Sequence, residues 1–323
     1  MRWRLKAAIQ NAVAALPHGI GYEAYYQLQR RLAGLRKANP VSRLQAGAAI
    51  VQRLERLGAT VGGATVLEVG TGRRLNLPIA LWVCGARRIV TVDLNPYLRP
   101  ELVFEDLQYM RGHPAEIRTI FAGLSGSTGI LERLERLLAW RGTRLPELLE
   151  FLDITYIAPG DARCVDAPSA SFDLHVSFTV LEHIPPGVLG EIFLEGKRLL
   201  RPTGRFLHNI DFTDHFAHSD SRITTVNFLQ FSEAEWARLA GNRFMYHNRL
   251  RVDEFRALVE TAGLDIQQYD LQADAQAEAV LATRGLVLDA RFRAKPPEVN
   301  ATARAWLVAG PGTSVASATA AGR

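Results

Sequence analysis

The chain has 323 residues, of which 48% are hydrophobic and 22% are charged, and its formal net charge is +5. This is the composition of an ordinary globular protein that can bury a large core, and no run is long and apolar enough to cross a bilayer. The positive charge is almost entirely arginine and is dispersed along the chain, so we expect no nucleic-acid partner.

The first 58 residues have a helical pattern. Ile50, Leu54 and Leu57 recur at helical spacing, and Gly58 suits the end of that helix. The basic start of the chain, residues 1–16, predicts an amphipathic helix. We expect it to dock on the core, and contact with a membrane surface is the alternative.

Two predicted strands carry the most informative residues. Residues 66–69 form an apolar run that ends in a turn at Gly70 and Gly72, and residues 88–92 form a second run with Asp93 at its carboxyl end. In an open α/β sheet, ligands bind beyond the carboxyl ends of the strands, where glycine backbone approaches closely and an acid can hold ribose hydroxyls. The pattern therefore indicates a ligand that contains a nucleoside.

A dinucleotide is a poor fit to this turn. The dinucleotide fingerprint requires a third small residue so that the helix packs closely on its strand. The sixth position counted from Gly70 is Leu75, and Arg73 and Arg74 precede it.

The middle of the chain predicts a helical insertion and three more strands. Residues 100–150 are helical and longer than one crossover requires, so they form either a lid or an interaction surface. The three strands are predicted at 154–158, 172–178 and 205–210. The first leads into Gly160-Asp161-Ala162, and the second leads into the sequence VLEHIP at 180–185.

The last part of the chain predicts a helix and two strands. The helix spans 252–261 and stops at Gly263, and the strands span 264–271 and 304–309. Segment 242–251 suits either a pocket for a polar ring or anion held by Arg249 or Arg251, or a solvated helix start, and both readings stay open.

Taken together, these features resemble the class I S-adenosylmethionine-dependent methyltransferases over about residues 60–210. Glu68-x-Gly70-x-Gly72 is similar to the first motif of that family, with Arg74 where a third glycine usually stands. The sequence VLEHIP is a form common in its small-molecule members.

The resemblance implies an α/β fold, a Rossmann-like, seven-stranded and mostly parallel sheet with an antiparallel edge strand. It divides the chain into an N-terminal helical cap, a methyltransferase domain and a tail. The cap spans 1–58 and the domain 59–309, with the insertion at 100–150 and a substrate-side segment at 211–250. Residues 310–323 are expected to be a disordered tail.

The resemblance also implies S-adenosylmethionine as the cofactor. Asp93 falls where the family holds the ribose hydroxyls, Asp161 and Ala162 where it contacts the adenine, and Thr179 where backbone groups meet the methionine end. The full predicted set of cofactor-binding residues is Glu68, Gly70, Gly72, Asp93, Asp161, Ala162 and Thr179.

Candidate catalytic residues follow the fourth and fifth strands. Methyl transfer requires aligned reactants and, for a hydroxyl acceptor, a group that takes the proton, which suits a histidine. We predict His183, His208 and Asp211 for this role, with local hydrogen bonding as the alternative for His183. The acids and histidines between 208 and 218 could hold a hard cation, but we favour a polar loop and assign no metal ligand.

The sequence thus predicts a cytoplasmic enzyme that methylates a small-molecule or glycan-like acceptor at oxygen. One alternative is a nucleotide-dependent oxidoreductase, which should prefer a small residue at position 75. Another is a non-enzymatic, membrane-associated binding module that uses the N-terminal helix for peripheral contact. The identity of the acceptor and the oligomeric state stay open.

Overall fold

One seven-stranded sheet organises the chain. The computed structural model describes residues 1–32 and 34–312. The strand order is β3-β2-β1-β4-β5-β7-β6, in which the first five are parallel neighbours and β7 runs antiparallel to β5 and β6. The strands are β1 (Thr65–Val69), β2 (Arg88–Val92), β3 (Ile154–Ile157), β4 (Phe172–Phe178), β5 (Leu200–Asp211), β6 (Leu264–Ala273) and β7 (Thr302–Pro311).

Helices cover both faces of this sheet, which explains why its central strands are apolar runs rather than alternating patterns. Each of the five residues of β1 is buried. The helices of the first half are α1 (Trp3–Ala14), α2 (His18–Leu32), α3 (Val41–Arg56), α4 (Asn76–Val83), α5 (Pro100–Gly112), α6 (Pro114–Phe121), α7 (Ser127–Ala139) and α8 (Leu145–Phe151). Those of the second half are α9 (Pro186–Leu199), α10 (Glu233–Ala240), α11 (Val252–Thr261), α12 (Ala275–Ala282), α13 (Ala290–Arg293) and α14 (Pro297–Ala301).

The largest apolar cluster lies on one face of the sheet. It joins α3 and α4 to the helices of the insertion, with Ile50, Leu54, Ile79 and Leu134 fully buried. The opposite face packs on α9 and α11, where Phe193 and Phe255 meet residues of β5. The predicted helical insertion between β2 and β3 is thus four helices, α5 to α8, packed against the sheet layer.

A third cluster joins helix α1 to residues of segment 211–250. Trp3 of α1 packs against Phe216 and Phe231, and its backbone N–H donates to Asp220 at 2.8 Å. Trp236 of α10 belongs to the same cluster. The apolar side of the N-terminal helix therefore contacts the rest of the protein, as the docking interpretation predicted.

The sheet and its antiparallel edge confirm the predicted fold class. The proposed domain boundaries stay predictions; α3, which we placed with the cap, packs in the largest core cluster. Strand β7 extends to Pro311, beyond the predicted start of the tail, and residues 313–323 lie outside the described residues. Within the described ranges, no helix has the length and apolarity required to span a membrane.

Candidate active site

A cavity of about 350 Å³ opens at the carboxyl end of β1. The turn after β1 forms one wall, and Thr179 and Val180, which follow β4, form another. Gly70 has a φ of +89°, and a Cβ atom there would lie 2.5 Å from Cγ2 of Val180. Only glycine accommodates both this backbone conformation and this close approach. Residues from α2, α3 and the connection between them close the cavity, among them Gln29, Asn39 and Arg43.

Glu68 lies at the buried base of the cavity. Its carboxylate accepts a hydrogen bond from the Thr91 hydroxyl on the neighbouring strand. Burial raises the pKa of Glu68 to about 8, while the positive charge of Arg43 opposes this rise. The group is therefore poised to change its charge near neutral pH.

Asp93 follows β2 and is held by backbone amides. The N–H groups of Gly72 and Asn95 donate to its two carboxylate oxygens at 2.8 and 3.0 Å. Burial nevertheless raises the pKa of Asp93 above its usual range. The predicted pairing of the glycine turn with this acid is thus present as a direct contact, and it fixes the carboxylate just behind the turn.

Arg74 stands where the resembling motif has a third glycine. Its Nη1 forms an ion pair with Asp106 of α5 at 2.5 Å, and Asn76 donates to the same carboxylate at 2.7 Å. The Asp106 side chain is fully buried. The arginine therefore ties the turn to the insertion.

Asp161 and Ala162 lie beyond the end of the neighbouring strand β3. Ala162 is buried, whereas Asp161 is partly exposed and binds Arg163 in an ion pair at 2.7 Å. Like Asp93, neither of the two lines the cavity, which contains Glu68, Gly70, Gly72 and Thr179 of the predicted set. Their predicted place beside an adenine ring remains a prediction.

Thr179 links the cavity to helix α3. Its φ is +53°, which is unusual for a β-branched residue, and its hydroxyl accepts a hydrogen bond from Arg43 at 3.0 Å. Arg43 also stacks over the ring of Phe178, 4.4 Å from its centroid. Strained backbone of this kind is concentrated at functional sites, because the surrounding contacts must hold it in place.

A group of histidines lies past the ends of β4 and β5. The ring of His183 is 5.0 Å from that of His215 and 6.1 Å from that of His247, and the rings of His215 and His218 are 5.1 Å apart. We call these four residues the histidine cluster. Asp211 borders it, since its Oδ2 lies 3.7 Å from Nε2 of His215.

The orientation of the His183 ring is fixed by one hydrogen bond. Its Nδ1 donates to the Tyr246 carbonyl at 2.9 Å, so the lone pair lies on Nε2. Desolvation by the surrounding protein lowers the pKa of His183, although the residue keeps an exposed surface. The imidazole is therefore neutral at neutral pH and can accept a proton or bind a metal ion.

Glu182 is buried beside this cluster. Its side chain is fully buried, and neither of its oxygens has a hydrogen-bond partner in the described part of the chain. Burial raises the pKa of Glu182 well above its usual range. Asn248 fixes the loop from the other side, because its side-chain amide donates to the carbonyls of Leu181 and Ile184, both at 2.9 Å.

His208 does not reach this cluster and requires a correction. It is fully buried within the sheet, where Nε2 lies 3.1 Å from Nδ1 of His175 and Nδ1 lies 2.7 Å from the Ser177 hydroxyl. Side chains alternate between the two faces of a strand, and His208 shares its face with Phe206, in the layer of α9. Both of its nitrogens are already engaged, so a contact between His208 and an acceptor has no geometric basis.

The positions of Arg249 and Arg251 differ from both interpretations of segment 242–251. Both are buried, and neither holds a pocket for an anion or solvates a helix. Arg251 donates to the carbonyls of Phe212, Asn300 and Thr302 at 2.6 to 2.8 Å. Arg249 donates to the carbonyls of Phe228 and Phe231 at 2.9 and 2.6 Å, so both arginines hold backbone segments together.

Arg43, His247 and Glu182 are site residues that the motifs did not identify. Arg43 lies on a helix before the first motif, and His247 follows β5 by more than 30 positions. Glu182 is part of the sequence VLEHIP, which by itself assigns it no role. Its direct adjacency to His183, at the end of a buried strand, was the one available signal.

Comparison with known protein families identifies the family to which this chain is similar. Residues 42–269 match the family model described as "Methyltransferase domain". No curated protein matches the chain significantly.

Several solved structures are similar in fold. An S-adenosylmethionine-dependent methyltransferase from Mesorhizobium loti is 16% identical, with 82% of this chain and 99% of that chain covered and a TM-score of 0.42. The 1,6-didemethyltoxoflavin-N1-methyltransferase of Burkholderia thailandensis, bound to S-adenosylhomocysteine, is 14% identical, with coverages of 84% and 79% and a TM-score of 0.42. A [4+2]-cyclase is 13% identical, with coverages of 83% and 82% and a TM-score of 0.45.

Proposed function

Since the chain belongs to the methyltransferase-domain family and uses S-adenosylmethionine, we propose that it methylates a small-molecule acceptor at oxygen, beside His183. The donor carries its methyl group on a positively charged sulfur, so the group needs no further activation. The residues of the protein then have two tasks, which are to align the acceptor and to receive its proton.

The cavity at the end of β1 fits the donor. Gly70 and Gly72, both with positive φ, let backbone approach the ligand closely, and the cavity volume is in the range of small-ligand sites. We assign the ribose hydroxyls to Asp93, the adenine to Asp161 and Ala162, and the methionine end to Glu68 and Thr179. Each oxygen of Asp93 accepts one amide and retains capacity for a second hydrogen bond.

The observation that carries the proposed O-methylation is the free Nε2 of His183. The residue lies four positions after Thr179 in a short 3-10 turn, so it follows directly from the wall of the cavity. Because Tyr246 holds Nδ1, the nitrogen that remains available is a proton acceptor. An alcohol or phenol requires such a group, because its oxygen must lose a proton when it takes the methyl group.

The proposed step uses His183 and Asp211 together. The acceptor oxygen forms a bond to the methyl carbon as the carbon–sulfur bond breaks, and the hydroxyl proton passes to Nε2 of His183. Burial lowers the pKa of His183, and the charge of Asp211 partly opposes this shift, so Asp211 favours the protonated ring that results. Asp211 itself is fixed by the backbone N–H and hydroxyl of Thr213 at 2.9 and 2.6 Å.

A small acceptor suits the enclosure of the site. Helix α2 and the connection to α3 contribute Gln29, Leu35 and Asn39 to the cavity wall, and α1 packs beside segment 211–250 in the third cluster. The proposed acceptor would enter between these elements. We propose a small molecule on this basis, and a glycan is the other class that the sequence predicted.

The test uses a donor with a labelled methyl group and extract of the host, separated by size into small molecules, polysaccharide and protein. We expect label in the small-molecule fraction, in a product whose methyl group mass spectrometry places on oxygen. Label confined to polysaccharide, or on nitrogen or carbon, would contradict the proposed acceptor chemistry.

A pair of variants then tests the role of His183. His183→Ala should lower turnover far more than affinity for S-adenosylhomocysteine. His113→Ala is the matched control, because His113 also lies 2.9 Å from a backbone carbonyl through Nδ1 but sits between α5 and α6. Equal losses of turnover and cofactor affinity in His183→Ala would assign the residue to scaffolding.

A further inference from the structure

Two residues of the histidine cluster and the adjacent Glu182 have polar atoms that lie close together. Glu182 and His183 lie in the turn after β4, and His215 lies in the loop after β5. These strands are parallel neighbours, so their carboxyl ends meet at one edge of the sheet. One potential ligand atom from each residue lies within 4.8 Å of the other two.

Within residues 1–32 and 34–312, the buried side chain of Glu182 lacks the hydrogen-bond donor that a buried carboxylate requires. It is fully buried, and neither of its oxygens has a hydrogen-bond partner among the described residues. An unpaired buried charge is among the costliest features of a protein interior. A cation bound between Glu182 and the neighbouring imidazoles would satisfy it.

His183 has the arrangement that metal ligands commonly show. A ligating histidine usually donates its second ring N–H to a carbonyl or carboxylate, which fixes both the tautomer and the ring orientation. The bond from Nδ1 of His183 to the Tyr246 carbonyl at 2.9 Å is of this kind. Nε2 is therefore the nitrogen available to an ion.

His215 supplies the second nitrogen. Its Nε2 is buried and has no hydrogen-bond partner within the described chain, and it lies 3.7 Å from the Asp211 carboxylate. The ring of His215 is partly exposed and His183 is exposed, so one side of the group faces solvent.

The other two histidines of the cluster are already committed. Nδ1 of His247 accepts the backbone N–H of Arg249 at 3.0 Å, so its Nε2 carries the proton and cannot ligate. Nε2 of His218 lies 3.0 Å from the Thr213 hydroxyl. Because that hydroxyl donates to Asp211, His218 is its donor.

We propose that Glu182, His183 and His215 form a binding site for a divalent transition-metal ion. Two imidazoles and one carboxylate suit zinc, iron(II), cobalt(II) or manganese(II) better than magnesium or calcium, which prefer oxygen ligands. Three protein ligands leave coordination positions open for water or a substrate oxygen. This set differs from the polar loop expected at 208–218, of which it includes only His215.

The inference deepens the proposed function and rests on it only for the location of the acceptor. With an ion bound, Nε2 of His183 would be a ligand and would no longer take the proton itself. The ion would favour loss of the proton from a hydroxyl bound to it, and Asp211, whose Oδ2 lies 3.7 Å from Nε2 of His215, would receive that proton. Binding of the ion itself requires no acceptor, so the two proposals can fail separately.

The experiment titrates the full chain, stripped of metal and of any affinity tag, with zinc by calorimetry and with cobalt by visible absorption. We expect one equivalent of zinc to bind, and cobalt to give the absorption bands of a nitrogen-ligated ion. His215→Ala and Glu182→Gln should each weaken zinc binding by about 100-fold or more, since each removes a direct ligand, whereas even supporting residues typically change affinity about 10–100-fold.

His218→Ala is the matched control, because its ring neighbours His215 but its nitrogen is engaged by Thr213. We expect its zinc affinity to stay within about threefold of the parent. Circular dichroism identifies a variant that does not fold, and His215→Ala, at a partly exposed position, keeps the test available if Glu182→Gln unfolds.

Absence of saturable zinc binding, tighter binding of magnesium than of zinc, or full affinity in a folded His215→Ala variant would each overturn the metal site. In that case an effect of His183→Ala on turnover would still support the proposed function. Zinc binding with unchanged turnover in His183→Ala would instead retain the metal site and contradict the proposed function.

Discussion

The cavity at the end of β1 and the histidine cluster lie at the same edge of the sheet but differ in how the acids beside them are satisfied. Glu68 at the base of the cavity accepts a hydrogen bond from the Thr91 hydroxyl, and Asp93, behind the glycine turn that forms one wall, accepts hydrogen bonds from two backbone amides. At the cluster, Glu182 is buried without a hydrogen-bond partner in the described ranges. The protein therefore completes the first site with its own groups, whereas the second requires a proton or a bound cation.

The largest expected effect concerns the pH dependence of stability at Glu68. Its pKa rises from an ordinary 4.5 to about 8 in the folded protein, so the folded state retains a proton that the unfolded state loses between these values. The free energy of unfolding should therefore fall as pH rises from about 4.5 to 8, by on the order of 4 kcal/mol from this residue.

Glu68→Gln isolates this contribution, because glutamine has the same shape and does not ionise. Denaturant unfolding of both proteins across this pH range should show a smaller decline in the variant. Asp214, whose burial raises its pKa to about 6, contributes equally to both and cancels in the difference. Parallel profiles for the two proteins would show that Glu68 is ionised throughout.

The next largest effect compares cofactor binding by Asp93 and Asp161, which follow the neighbouring strands β2 and β3. Asp93→Ala should weaken binding of S-adenosylhomocysteine by about 2–3 kcal/mol, since it removes charge-assisted hydrogen bonds to two ribose hydroxyls. Asp161→Ala should cost less, because Asp161 is partly exposed and already paired with Arg163. Calorimetric titration checks both, and a larger loss in Asp161→Ala would reverse their assignments.

A smaller effect tests the shape of the glycine turn. Gly70→Ala should destabilise the protein by about 2 kcal/mol, because the new Cβ adds a clash with Val180 to the cost of a positive φ. Gly72→Ala is the control, since a Cβ there meets nothing within 4 Å and only the backbone cost of about 1 kcal/mol remains. The melting temperature of Gly70→Ala should be lower than that of Gly72→Ala. Equal melting temperatures would mean that the Val180 side chain moves to make room for the new Cβ.

The smallest effect separates His208 from the histidine cluster. His208→Leu leaves Ser177 and His175 without a partner and should cost about 1–2 kcal/mol of stability. Turnover of the folded variant should match that of the parent protein. A large loss of turnover at unchanged stability would return His208 to the catalytic set.

These two regions also show what sequence can predict. The glycine turn directly follows β1 and Asp93 directly follows β2, so a local motif was enough to predict that Gly70, Gly72 and Asp93 lie together. The cluster depends on positions 183, 215 and 247, which only the fold brings together. The prediction for His208 was wrong because it rested on residue type alone. Side chains alternate along β5, and only the elements packed on the two faces of the sheet decide which face buries His208 in the core.

The most direct test is a crystal structure of the protein with S-adenosylhomocysteine. We predict that both ribose hydroxyls lie within hydrogen-bond distance of the Asp93 carboxylate and that the sulfur atom faces the turn that carries His183. A nucleoside bound elsewhere, for example in the groove on the sheet lined by Val90, Ile157 and Phe172, would contradict this account of the active site.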